Sequence, residues 1–142
     1  MRIDFRQITN NDLEFLWKLH NLALKDYVAQ TWDWDEDWQR LDFTEKFNPA
    51  DGKIIVGGGV DAGFWRTIER ETETLLVSIR ILPEFQNRGI GTKIIKNLLN
   101  ESKNPVRLQV LKVNPARRLY EKLGFEIFDE TETHFKMIRR RD

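Results

Sequence analysis

The chain has 142 residues, of which 40% are hydrophobic and 32% are charged. This balance is typical of one globular domain with a single buried core, and it excludes a disordered or fibrous chain. Basic and acidic residues number 23 each, so the formal net charge is zero and bulk electrostatics predicts neither a nucleic-acid nor an anionic-membrane partner. There is no cysteine, which excludes disulfides, thiolate metal sites and a covalent intermediate on cysteine.

We predict a single domain over residues 1–142, because no linker, repeat or low-complexity segment interrupts the chain. The first residues alternate polar and apolar side chains and carry charge, so we expect no signal peptide or membrane span and a cytoplasmic location. The two histidines, His20 and His134, are too few and too far apart in the sequence to predict a metal cluster. We therefore expect no metal.

The N-terminal half is predicted in the order β-α-α-β-β. Asn11 suits a helix N-cap, with Glu14 three residues later, and apolar side chains then recur at helical spacing. An aromatic and acidic segment follows at residues 27–38, and its aspartates suit the start of a second helix. The predicted elements are a strand at 2–7, a helix that begins after Asn11, a helix at 35–47, and strands at 53–56 and 62–70.

The C-terminal half is predicted in the order β-α-β-α-β-β. Its first strand alternates in hydrophobicity, and its first helix has one apolar face. Pro115 suits the first position of the second helix, and Gly124 suits its end. The predicted elements are a strand at 74–82, a helix at 89–102, a strand at 106–110, a helix from Pro115 to Gly124, and strands at 125–128 and 133–138. The first strand, helix and next strand form a right-handed parallel crossover.

Residues 83–92 join this strand to its helix, and they contain Gly89 and Gly91. Glycines that open a helix expose backbone N–H groups at the positive end of the helix dipole, which favours an anion such as pyrophosphate. The segment lacks the Gly-Lys-Ser/Thr ending of a Walker loop, and Ile94 stands where a dinucleotide fingerprint has its third glycine. Taken alone, the pattern also fits a tight turn before an ordinary helix.

The pattern Gln86-x-x-Gly89-x-Gly91 resembles the acyl-CoA-binding loop of the GNAT (GCN5-related N-acetyltransferase) superfamily. A second segment, from Asn114 to Phe125, resembles the later Asn, Tyr-Glu and Gly-Phe landmarks of that family, in the same order and spacing. The specific match covers residues 74–128. The resemblance implies an α/β fold of the α+β mixed-sheet type. Its central sheet is mostly antiparallel with a β-α-β parallel crossover, and splayed strands form the acyl-CoA cleft.

The resemblance implies an acyl-CoA-dependent N-acyltransferase, with acetyl-CoA as co-substrate and a primary amine of a small molecule or peptide as acceptor. Because the chain has no cysteine, direct attack by the amine in a ternary complex is the simplest route. Tyr120 matches the family's general-acid tyrosine, although its helical spacing also fits a core position. The residues implied at the cofactor are the main chain of Ile79, Arg80 and Ile81, the loop residues Gln86, Asn87, Arg88, Gly89, Ile90, Gly91 and Thr92, and Asn114 and Arg117.

The sequence leaves the general base open. Family members place a glutamate on the strand before the loop or on the strand after the crossover helix, where this chain has Leu75 and Gln109. Glu73 is the candidate that we name, although it also fits a surface group or a cross-strand partner. Further candidates of the same standing are Glu69, Asp33 and His134.

Trp32, Asp33 and Trp34 are the predicted acceptor-binding residues. The carboxylate would attract a cationic amine, and the aromatic rings would hold it by cation–π contact. The same segment also fits a tryptophan-rich helix that packs on the sheet.

Two other functions are considered. The missing carboxylate base favours a non-catalytic acyl-CoA-binding regulatory module on the same fold. A nucleic-acid adaptor that uses Arg117, Arg118 and the arginines at 139–141 is disfavoured by the zero net charge. We expect no membrane partner, and we consider a homodimer as the assembly.

Overall fold

The computed structural model describes residues 1–31 and 33–141, with all side chains in these ranges except those of residues 23 and 24. The described residues form seven strands and four α-helices, which follow each other in the predicted order. The elements are β1 (Ile3–Gln7), α1 (Leu13–Thr31), α2 (Glu36–Lys46), β2 (Lys53–Gly57), β3 (Val60–Glu69), β4 (Thr74–Ile81), α3 (Ile90–Glu101), β5 (Val106–Leu111), α4 (Arg117–Lys122), β6 (Glu126–Glu130) and β7 (His134–Arg139). Short 3-10 turns at Asn10–Asp12 and Pro83–Phe85 precede α1 and the glycine loop.

The strands form one seven-stranded sheet in the order β1-β2-β3-β4-β5-β7-β6. β1 and β3 pair antiparallel to β2, and β5 and β6 pair antiparallel to β7. β4 and β5 pair in parallel, and α3 connects them. Their ladder joins Thr74 to Val106 and Leu75 to Arg107, after which both strands continue. The predicted mixed sheet with a β-α-β crossover is therefore confirmed.

The chain forms two compact units, and the first unites residues 1–66 with residues 78–88. Its core is built on Ile8, Leu16 and Ile54, which are all buried. Aromatic side chains of α1, α2 and β3 surround these residues because apolar positions recur at helical spacing on both helices. The residues packed against this core are Phe15, Phe43, Phe47, Val56 and Phe64.

An ion-pair network ties β1 of this unit to the start of α1. The Arg6 guanidinium donates to both carboxylate oxygens of Asp12, at 2.8 and 2.9 Å, and to Asp61 at 2.7 Å. Asp12 also accepts a hydrogen bond from the backbone N–H of Thr9 at 2.8 Å. The Arg6 hydrogen bond lowers the pKa of the nearly buried Asp12 carboxyl from 3.8 to about 2.

We expect Asp12→Asn to lower the free energy of unfolding at neutral pH by about 2 kcal/mol. The lowered pKa of the Asp12 carboxyl means that its ionised form stabilises the folded state, and the neutral amide lacks this contribution. A depressed carboxyl pKa contributes stability above the unfolded value, so the difference should vanish as the pH falls from about 4 to about 2. Urea unfolding at several pH values measures this difference in the free energy of unfolding. Asp4→Asn is the control, because its pair with Arg2 is exposed; equal losses in both variants would contradict the prediction.

The second unit unites residues 67–77 with the described residues from 89 onwards. α3 buries Ile90, Ile94, Ile95 and Leu98 on one face, as its sequence pattern predicts. Where its last turn ends, the Oγ1 of Thr74 and the Oγ of Ser102 lie 3.2 Å apart in a buried hydrogen bond. Buried side chains of β5 and β7, and of Phe125 just before β6, complete this core: Val106, Leu108, Val110, Phe125 and Met137.

The end of α1 and the start of α4 differ from the sequence prediction. α1 runs to Thr31 and so includes the first part of the aromatic segment, for which the sequence predicted no element. α4 begins at Arg117 rather than Pro115, because the backbone N–H of Ala116 donates to Asn114 Oδ1 at 2.9 Å and closes a turn first. None of the described helices is long and apolar enough to cross a membrane.

Candidate active site

The predicted cofactor loop begins at the end of β4, in the first unit. Its 3-10 turn is closed by the backbone N–H of Phe85, which donates to the carbonyl of Leu82 at 2.9 Å. The Gln86 side chain donates from Nε2 to the carbonyl oxygen of Ile81 at 2.9 Å, so it fixes the loop to the strand. Asn87 has a φ of 62° and is the one described residue besides glycine with a positive φ. Arg88 is exposed, with its guanidinium 5.5 Å from the Phe85 ring.

Gly89 begins α3 with a φ of 78°, in the left-handed conformation that favours glycine. No described side chain caps this end of the helix, and the carbonyl of Gly89 accepts first from Lys93 N–H, at 3.0 Å. The amides of Ile90, Gly91 and Thr92 therefore lie in the turn whose N–H groups have no intrahelical acceptor. A Cβ built on Gly89 would meet nothing within 4 Å. Uncapped amides beside open space fit an anionic pyrophosphate.

Gly63 is a residue of β3 that the sequence reasoning missed. A Cβ at this position would lie 2.3 Å from the carbonyl oxygen of Arg80 and 3.2 Å from the Cα of Ile81. Only glycine allows the two backbones to approach this closely. A glycine inside an alternating strand was the available signal. The close approach at Gly63 sets the position of Arg80 and Ile81, the segment of β4 that is predicted to face the cofactor.

We expect Gly63→Ala to destabilise the protein by about 1–3 kcal/mol, because the new methyl group must displace backbone rather than a flexible side chain. The shifted main chain at Arg80 and Ile81 should also weaken acetyl-CoA binding. Thermal unfolding and calorimetric titration measure the two effects. Gly57→Ala is the matched control, because its Cβ would meet the flexible Met1 side chain at 3.0 Å; a variant of Gly63 as stable as this control would contradict the prediction.

Tyr120 lies on α4 in the second unit and is buried. Its ring meets the Phe125 ring edge-on, with centroids 6.0 Å apart. Burial raises the pKa of its hydroxyl to about 12, so the group remains a proton donor throughout the neutral range. Gly124 ends the helix with a φ of 92°, and the Arg139 side chain fills the space where a Cβ would stand.

Asn114 and Arg117 lie on either side of the start of α4. Asn114 Oδ1 accepts from the Ala116 N–H, so one of its polar atoms already holds the turn. The Arg117 guanidinium bonds Glu121 at 3.1 Å and lies 5.1 Å from the Phe135 ring. Both side chains thus have structural partners in addition to the cofactor role that the resemblance implies.

Glu73 accepts hydrogen bonds from two arginines of the second unit. Arg107 donates to it at 2.9 Å and Arg70 at 3.4 Å, and the carboxylate is largely buried. Through these bonds Glu73 links the starts of β4 and β5. If Glu73 acted as a general base, the proton that it accepts would compete with both arginines for its carboxylate. Glu69 and Asp33 are exposed. His134 lies at the start of β7, where its Nδ1 is 2.8 Å from Thr133 Oγ1, and burial lowers its pKa.

Asp33 and Trp34, two of the three predicted acceptor residues, lie between α1 and α2. Trp34 donates from Nε1 to Glu36 at 2.6 Å, and its ring lies 6.1 Å from the ring of His20. Asp35 caps α2 by accepting from the Trp38 N–H at 3.0 Å, which confirms the predicted helix start. Trp32 lies outside the described residues.

His20 and Arg80 form a second feature that the sequence reasoning missed. The His20 ring packs among Trp17, Trp34 and Phe43, at centroid distances of 5.9, 6.1 and 5.1 Å. Burial, and then the positive charge of Arg80, lower the pKa of His20 to about 4. His20 is therefore neutral at physiological pH. Within the ranges 1–31 and 33–141, no group of acidic and histidine side chains is arranged to hold a metal ion.

The comparison with protein families is consistent with this geometry. The model of the acetyltransferase (GNAT) domain matches residues 50–127, a span that contains the glycine loop and Tyr120. Over half of the chain is matched, and the chain belongs to the GNAT acetyltransferase family.

A curated relative is consistent with this assignment. The chain is 34% identical over 88 residues to the thialysine N-epsilon-acetyltransferase of Mus musculus, a match that covers 58% of this chain and 51% of that protein. The chain thus spans about half the length of that curated relative.

Many solved structures share the fold, among them two acetyltransferases. The PaiA N-acetyltransferase of Thermoplasma acidophilum, in complex with coenzyme A, superposes with a TM-score of 0.77 at 19% identity, covering 99% of this chain and 100% of that one. An acetyltransferase of Thermus thermophilus gives a TM-score of 0.74 at 17% identity, covering 99% and 98%. At these identities the likeness concerns the fold alone.

Proposed function

We propose that the chain is an acyl-CoA-dependent N-acetyltransferase, which transfers an acetyl group from acetyl-CoA to a primary amine of a small molecule or peptide. The observation that carries the proposal is the family match over residues 50–127, which contains both the uncapped start of α3 and the buried Tyr120. The curated relative is named for thialysine, so thialysine is the first acceptor to test.

In this proposal the loop and β4 bind acetyl-CoA through their main chain. The amides of residues 87–92 hold the pyrophosphate, and Arg88 adds positive charge. Ile79, Arg80 and Ile81 pair with the pantetheine arm as an added strand, and an amide near Ile81 donates to the thioester carbonyl oxygen. Gln86 supports this arrangement because it holds the Ile81 carbonyl. Asn114 and Arg117 complete the cofactor residues.

The chemistry is direct acyl transfer. The acceptor nitrogen attacks the thioester carbonyl carbon, so a C–N bond forms and the C–S bond breaks. The Tyr120 hydroxyl donates a hydrogen bond to the departing thiolate. Since the pKa of Tyr120 is about 12 and that of a thiol is about 8.5, a hydrogen bond describes this step better than complete proton transfer. The proton that the amine loses goes to water or to a base, for which Glu73 remains a candidate.

A non-catalytic acyl-CoA-binding module is the second candidate function. Leu75 and Gln109 stand at the positions where the family has a base, and neither can accept a proton. Glu73 is paired with two arginines. None of these three residues therefore supplies an unpaired carboxylate base. Such a module would bind acetyl-CoA with no release of CoA in the presence of any amine.

Titration of the purified protein with acetyl-CoA, followed by a thiol-release assay, tests the proposal. We expect saturable binding, and CoA release that depends on an added amine such as thialysine. Binding without release across an amine panel would favour the regulatory module. No binding at millimolar acetyl-CoA would overturn both functions.

Other expectations remain predictions. They are a single domain over residues 1–142, a cytoplasmic location, a homodimer, and the absence of nucleic-acid, membrane and metal partners. Sedimentation equilibrium at several protein concentrations tests the homodimer.

A further inference from the structure

Arg80 carries a charge that no described residue neutralises. Its Nε is inaccessible to solvent and lacks a hydrogen-bond partner, and none of the ion pairs in the described part of the chain includes it. Burial lowers the pKa of the guanidinium to about 10. An unpaired cation that is partly desolvated is costly to a folded protein, so a group that compensates it has an energetic reason to bind there.

The carboxylate of Asp42 acts on the neighbouring His20, but it forms no ion pair with Arg80. Aromatic side chains lie beside Arg80. Its guanidinium lies 6.0 Å from the Phe64 ring. Its charge also acts on His20, which is packed among Trp17, Trp34 and Phe43 and which has a buried, unpartnered Nδ1. Two unsatisfied polar groups thus belong to one aromatic cluster, entirely within the first unit. The Arg80 residue is only partly buried as a whole, so a ligand can reach it.

We propose that the Arg80 side chain binds a carboxylate of the acceptor, so that the acceptor is an amine which also carries a carboxylate. This inference rests on the proposed acyl transfer and narrows its substrate class. A guanidinium presents parallel N–H donors that match the two oxygens of a carboxylate, and the aromatic side chains offer a surface for the methylene groups between the two ends. The acidic connection between the first two helices suits the amine end.

The experiment compares two ligands that differ at one end only, 6-aminohexanoate and 6-aminohexanamide. Tryptophan fluorescence reports binding, because Trp17 and Trp34 flank His20. The titrations are made on the free protein and with saturating CoA. We expect the carboxylate to bind about 10-fold more tightly than the amide, the usual advantage of a charge-assisted bidentate pair.

Arg80→Met should reduce this ratio to about 1, and Arg80→Lys should restore only part of it, since lysine keeps the charge and lacks the planar fork. Arg2→Met is the matched control, because Arg2 is exposed and pairs with Asp4. We also expect the melting temperature of Arg80→Met to equal or exceed that of the wild type, since an unpaired and partly desolvated charge is removed. If that variant does not fold, Arg80→Lys decides the question.

Equal or undetectable binding of the two ligands to the wild type, with and without CoA, would overturn the proposal. So would an unchanged ratio in Arg80→Met. A loss of acetyl-CoA affinity in that variant with no change in the ratio would assign the charge to the cofactor instead, and it would also overturn the proposal. Failure of the acyl-transfer proposal is seen separately, as absence of acetyl-CoA binding or of CoA release.

Discussion

Tyr120→Phe is expected to lower kcat about 100-fold while the KM for acetyl-CoA stays unchanged, because the ring remains and only the donor to the thiolate is lost. The packing of the ring against Phe125 is retained, so the melting temperature should not fall. Steady-state kinetics by thiol release, together with thermal unfolding, measures both quantities.

The pH dependence of kcat tests the raised pKa of Tyr120, and the comparison of kcat with Tyr120→Phe tests its role. With a pKa of about 12, Tyr120 stays protonated throughout the neutral and moderately alkaline range, so it should add no falling limb to the kcat profile below about pH 10. A wild-type profile with such a limb that Tyr120→Phe abolishes would contradict this account. Equal kcat values for the two proteins would remove Tyr120 from the mechanism.

Gly89→Glu is expected to weaken acetyl-CoA binding more than about 100-fold, since it places a negative charge at the helix start where a pyrophosphate would bind. The side chain would enter open space, so the fold should survive with only the cost of a left-handed residue, about 1–2 kcal/mol. Calorimetric titration measures the affinity, and thermal unfolding measures the cost.

Gly59→Glu is a matched control for this variant. Gly59 has a φ of 81°, close to the 78° of Gly89, and a Cβ there would also meet nothing within 4 Å. The two variants therefore share the same added charge and the same backbone strain. Gly59→Glu should bind acetyl-CoA like the wild type, and Gly89→Ala should isolate the effect of strain without charge. Binding of acetyl-CoA by Gly89→Glu with wild-type affinity would show that the site is not at the start of α3.

The elements around the glycine loop could be predicted from the sequence because their signals are local. One apolar face defines α3 over residues that lie within three or four positions of each other, and four of its predicted side chains are buried. The start of α2 followed likewise from one side chain, Asp35, and the amide three residues later. The family landmarks in residues 74–128 are local in the same sense, so the fold class and family could be predicted.

Contacts between distant positions could not be read in this way. The backbone of Arg80 leaves room only for a glycine at position 63, 17 residues earlier in the chain. Glu73 accepts a hydrogen bond from Arg107, 34 residues later. Arg80 acts on the neutral His20 only because the end of β4 belongs to the compact unit that contains α1.

The sequence by itself thus determined the order of elements, the loop that opens α3 and the family. Only the tertiary structure decided which charges are paired and which are buried alone. The physical reason is that helix caps and hydrophobic periodicity depend on neighbours along the chain, whereas desolvation and ion pairing depend on neighbours in space.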